Sequence, residues 1–97
     1  DFLRREFMQT LILYSKPGCH LCEGLQEKLE QLQDLEFDLE IRDITTQPDW
    51  FQAYQYEVPV LARQPATSAS QELPIPRPSP RLTVSQLRQF LQPHLAM

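Results

Sequence analysis

The sequence predicts an α/β domain with the element order β–α–β–α–β–β–α, and three observations carry that prediction. An apolar run at residues 9–14 reads as a strand buried on both faces. Leucines from residue 19 onward repeat at helical spacing. Strict alternation at residues 37–42 has the period of a half-buried strand. A strand, a helix and a second strand in succession require a right-handed crossover and a parallel pair.

Each element follows from its residues. Residues 9–14 are QTLILY, and Ser15, Lys16, Pro17 and Gly18 break the run. From Cys19 to about residue 35, Leu21, Leu25, Leu29 and Leu32 fall on one helical face. Glu23, Glu27, Lys28 and Glu30 lie elsewhere, and the early glutamates suit the start of the helix dipole. Phe37, Leu39 and Ile41 alternate with Asp38, Glu40 and Arg42, and residues 43–46 form a turn. Pro48 starts a short second helix, with Trp50, Phe51 and Tyr54 expected to face the core. Residues 57–62 read as a third strand opened by Pro59, where proline is tolerated. Residues 64–80 are rich in Pro, Ser, Ala and Gln, and read as a surface loop holding a short strand at 72–75. Thr83 caps a last helix with Val84, Leu87, Phe90 and Leu91 on its buried face, and Pro93 ends it.

Composition limits the function classes. The chain of 97 residues makes one domain, with residues 1–7 expected as an extension and the fold occupying 8–97. A net charge of -4 argues against a general nucleic-acid surface. No apolar run reaches the length that spans a membrane. The acidic set Asp34, Glu36, Asp38 and Glu40 reads as a solvated strand edge.

The sharpest feature is Cys19-His20-Leu21-Cys22. Two cysteines in a short chain can be a disulfide staple, half of a metal site, a redox pair or simply packed side chains. Structural zinc needs four ligands, and His20 and His94 are the only histidines. No secretory pattern precedes the pair, so a cytoplasmic protein is expected. In that compartment structural disulfides are rare, and a C-x-x-C beside a βαβ pattern reads as redox. The pair opens a predicted helix, whose unpaired N–H groups and dipole stabilise a thiolate at Cys19. Cys22 lies one turn further in. The assignment is Cys19 as attacking thiol and Cys22 as resolving thiol, through a mixed disulfide. Lys16 adds positive charge nearby, either as a solvated turn residue or as a ligand contact.

Residues 14–22, Tyr-Ser-Lys-Pro-Gly-Cys-His-Leu-Cys, resemble the active-site stretch of glutaredoxins, and Glu57-Val58-Pro59 resembles the segment that carries the cis-proline of thioredoxin-fold proteins. The resemblance covers about residues 9–92. It implies a thioredoxin-like, glutaredoxin-type three-layer sandwich around a four-stranded mixed sheet. It also implies that Lys16 helps hold a glutathione carboxylate. In the same way Val58 would offer its backbone N–H and C=O to a bound cysteinyl group, and Pro59 would be cis. Two departures weigh against glutathione. Residues 78–83, Pro-Ser-Pro-Arg-Leu-Thr, lack the pair of glycines and the acid that glutaredoxins carry before their last helix. The middle of the motif is His-Leu in place of proline and an aromatic residue.

The expected function is therefore that of a dithiol–disulfide oxidoreductase of the glutaredoxin-like type. It would act on a disulfide-containing protein or on glutathione mixed disulfides, as a monomer with no required cofactor, no metal and glutathione as candidate co-substrate. Two alternatives stand beside it: a thioredoxin-fold adaptor with little turnover, and a carrier of an iron–sulfur cluster bridged between two chains.

Overall fold

The computed structural model describes residues 8–32, 34–66 and 71–95. The expected extension at 1–7 and the middle of the Pro/Ser-rich loop at 67–70 lie outside the described residues. The elements are β1 (Thr10–Ser15), α1 (His20–Glu30), β2 (Asp38–Asp43), a single 3-10 turn (Ile44–Thr46), α2 (Pro48–Tyr54), β3 (Val60–Gln64), β4 (Leu73–Ile75) and α3 (Val84–Leu95).

The four strands form one mixed sheet in the order β2-β1-β3-β4. β1 runs parallel to β2 and antiparallel to β3, and β3 runs antiparallel to β4. The central position of β1 explains its apolar sequence, because successive side chains serve opposite faces. Leu11 and Leu13 join Leu29, Leu87 and Leu91 in the core under α1 and α3. Ile12 and Tyr14 join Ile44 and Ala62 on the other face, covered by Trp50 and Tyr54 of α2. The result is a three-layer sandwich. Burying a leucine of this kind contributes roughly 1.5–3 kcal/mol.

The helix ends have local causes. Thr83 Oγ1 accepts from the Gln86 N–H at 3.1 Å, and Gln86 Oε1 accepts from the Thr83 N–H at 3.0 Å. This reciprocal pair satisfies two of the free donors at the start of α3. α3 then continues through Pro93 instead of stopping there. Leu95 is buried, and its carbonyl receives the Gln9 side-chain amide, so contacts beyond the proline hold the last turn. α1 stops at Glu30, short of the expected residue 35. The Gln31 and Leu32 N–H groups bond three residues back, to Lys28 and Leu29. Leucine spacing of three suits such a tightened end as well as an α-helix, so periodicity could not separate them.

Further expectations shift. β3 begins at Val60, after Pro59, because residues 55–57 close a turn on Tyr54. β4 begins at Leu73, and Pro74 is accommodated because β4 is an edge strand. Phe51 and Ile41 are exposed and lie outside the core. In place of Ile41, the neighbouring Arg42 is covered: its guanidinium lies 5.5 Å from the Tyr14 ring centre and 5.2 Å from that of Trp50. Among the described residues no helix is long and apolar enough to cross a membrane.

Candidate active site

The site lies where β1 ends and β3 begins. Tyr14 pairs with Val60 across the sheet, so the turn leaving β1 and the turn entering β3 are neighbours. The first of these is built by Lys16-Pro17-Gly18-Cys19. The Cys19 N–H returns to the Lys16 carbonyl at 3.2 Å, and Gly18 has φ +81°. Proline followed by a residue of positive φ is the pattern of a type II turn, and only glycine takes that position without cost.

The turn delivers Cys19 to the N-cap of α1. Its Sγ accepts the backbone N–H of Cys22 at 3.2 Å. The two cysteines are joined in a disulfide with Cα atoms 5.3 Å apart. They are unequal in access: Cys22 is 2% exposed, whereas Cys19 is only half-buried. His20 points outward and meets Glu23 at 3.4 Å.

The neighbouring turn carries Val58–Pro59, and its peptide bond is cis. The Glu57 and Val58 N–H groups both donate to the Tyr54 carbonyl, at 2.9 and 3.1 Å. This corrects one expectation. The Val58 N–H is already used within the chain, whereas the C=O of the same residue has no donor among the described residues. Lys16 Nζ donates to the Gln55 carbonyl at 3.2 Å, so Lys16 ties the cysteine turn to the proline turn. Arg77 grips the same turn from its other side, donating to the Glu57 carbonyl.

Behind these turns, Tyr14 donates to Glu72 at 2.6 Å and accepts from Arg42 at 2.9 Å. Its ring packs on Tyr54 with centres 4.6 Å apart. The Tyr14 phenol is pushed up to about 12, first by burial and then by its bond to Glu72. Arg42 is held above its ordinary value: burial opposes its charge, but its bond to Glu40 and the neighbouring Tyr14 outweigh that.

A groove of about 420 Å³ opens beside the disulfide. His20, Leu21 and Pro59 line it together with residues 77–80. Leu25, Leu82 and Leu87 lie along it. Leu21, expected on the buried helical face, is instead 52% exposed. Its place between the cysteines was the signal that it turns outward. Lys28 Nζ holds the 77–80 segment by donating to the carbonyls of Pro80 (2.9 Å) and Leu82 (2.6 Å). Sequence reasoning missed Lys28 and Arg77, since neither belongs to a motif. Among the described residues no group of three or more His, Cys, Asp or Glu side chains could hold a metal ion.

A four-stranded mixed sheet between helical layers, with a C-x-x-C pair opening α1 and a cis-proline beside it, defines a glutaredoxin-like protein of the thioredoxin superfamily. The family described as Glutaredoxin-like domain (DUF836) matches residues 10–92, and the chain belongs to that family. No curated protein matches the chain. A solved structure described as a designed protein resembles it with a TM-score of 0.52 at 20% identity, covering 98% of this chain and 88% of that one. That likeness concerns the fold alone. The C-x-x-C pair in a glutaredoxin-like domain suggests redox-type chemistry.

Proposed function

We propose that the protein is a dithiol–disulfide oxidoreductase in which Cys19 attacks and Cys22 resolves. One observation carries this reading: the Cys22 N–H points at Cys19 Sγ from the first turn of α1, while Cys22 itself is buried behind it. A hydrogen bond to a charged group contributes about 1.5–3 kcal/mol. In the reduced protein the same N–H is placed to donate to a Cys19 thiolate.

The reaction follows from that asymmetry. The Cys19 thiolate attacks one sulfur of a substrate disulfide, forms the mixed disulfide and expels the other sulfur as a thiolate. Cys22 then loses its proton to solvent and attacks Cys19 Sγ. That step closes the 19–22 disulfide and releases the second substrate sulfur. Two electrons pass from the protein to the substrate, and an external thiol such as glutathione returns them.

Alkylation of the reduced protein against pH tests the assignment. Cys19, the more accessible of the two, should react first. A Cys22→Ser variant should accumulate the mixed disulfide, and a Cys19→Ser variant should form none. Equal reactivity of the two thiols would overturn the assigned roles.

A further inference from the structure

We infer that the groove beside the disulfide receives an extended acidic and apolar segment of a protein disulfide substrate, with Arg77 selecting its carboxylate. This inference rests on the thiol–disulfide reading above and names the substrate class for that site.

Three features specify the occupant. The groove holds about 420 Å³ and is walled by Leu21, Leu25, Pro59, Leu82 and Leu87, which suits apolar side chains. The permanently charged residues lining it, Lys28 and Arg77, are both cations, and among the described residues no aspartate or glutamate lines it. That is the reverse of the chain as a whole, whose net charge is -4. Lys28 is committed to two loop carbonyls, whereas Arg77 spends one N–H on the Glu57 carbonyl and keeps the rest of its fork. The third feature is the Val58 carbonyl, which has no donor among the described residues and precedes Pro59, a lining residue of the groove. An extended peptide carries the backbone N–H that such an acceptor takes. A ligand that presents an ammonium group would meet two cations and no carboxylate among the described lining residues.

The groove is also built in advance. Lys28 fixes its wall at Pro80 and Leu82, and Arg77 fixes the start of the same segment to the Glu57 carbonyl. Little ordering is then left for the moment of binding, which favours discrimination by charge over adaptation.

The test uses two blocked peptides, Glu-Leu-Cys-Leu-Glu and Lys-Leu-Cys-Leu-Lys, each joined through its cysteine to 5-thio-2-nitrobenzoate. Their symmetry makes the result independent of chain direction. The reduced protein attacks the peptide sulfur and releases the coloured thiolate. Each rate is divided by the rate of the same probe with dithiothreitol, which removes the probes' own reactivity. The acidic probe should react about tenfold faster, as expected for one charge-assisted contact. Arg77→Gln should slow the acidic probe alone, and Arg77→Lys should keep the preference. If Arg77→Gln slows both probes equally, Arg77 only braces the turn and the inference is overturned. Equal rates for both probes in the wild-type protein overturn it too, and leave the thiol–disulfide reading standing. Failure of both probes to react overturns that reading and this inference with it.

Discussion

Lys16 Nζ donates to the Gln55 carbonyl, 3.2 Å away and 39 residues along the chain. The bond joins the turn that carries the cysteines to the turn that carries the cis-proline, so the two halves of the site are held at one spacing. Lys16→Met keeps most of the stem but leaves the carbonyl without its donor. It should lower stability by about 1–2 kcal/mol in urea unfolding. A variant that keeps full stability and loses only substrate affinity would show that Lys16 is a ligand contact and not a tie.

Gly18 sits at φ +81°, and an added Cβ would meet nothing within 4 Å. The cost of replacing it is therefore conformational and not steric. Gly18→Ala should lose about 1–2 kcal/mol, and Gly18→Asn less, since asparagine tolerates this region. Unfolding midpoints of the two variants check the order, and an alanine as stable as glycine would refute it.

Tyr14 provides a pH dependence of known sign. Its phenol is pushed from 10.0 to about 12 by burial and by Glu72, against the pull of Arg42. A group whose folded-state value is raised stabilises fully below its unfolded value, and that contribution fades as pH rises through the folded one. Stability should hold up to pH 10 and fall towards pH 12. Ultraviolet titration of wild type minus Tyr14→Phe should isolate one phenol with a midpoint near 12. A difference spectrum centred at 10 would contradict the burial of that hydroxyl.

Leu13 is fully buried in the central strand, between the α1 and α3 side of the core and the sheet. Leu13→Ala should cost about 2–5 kcal/mol, without altering the order in which the cysteines react in whatever folded protein remains. Calorimetry gives the first quantity and alkylation the second.

Thr83→Ala removes the acceptor for the Gln86 N–H and should cost about 0.5–2 kcal/mol. Thr83→Ser should restore most of it. Thermal unfolding of the pair separates the cap from the methyl group.

How legible the molecule was in its sequence varies with the range of the interaction. β1 shows itself because a strand buried on both faces must be apolar throughout, and the start of α1 because turn residues precede a helical repeat. The capping pair of Thr83 and Gln86 is local, and Thr83 announces it. Tertiary contacts override the local signals elsewhere. Pro93 is an ordinary stop signal, yet Leu95 and Gln9 draw the helix past it. Arg42 looks like an outward residue, but Tyr14 and Trp50 cover it. Around the site, the cysteines and Pro59 belong to recognisable patterns. The capture of the Val58 N–H by Tyr54 and the grip of Arg77 on Glu57 do not, because each is a side-chain or backbone bond whose partner the sequence does not name.

Lys28 holds the wall of the groove through main-chain oxygens of Pro80 and Leu82, not through their side chains. The Lys28 tie itself places no demand on which side chains that wall presents. Positions 79 and 81 are exposed and face no such tie through their side chains to α1. The segment thus works as an interchangeable panel: the residues at its surface can be exchanged to retune selectivity, with the frame that carries the cysteines left as it is.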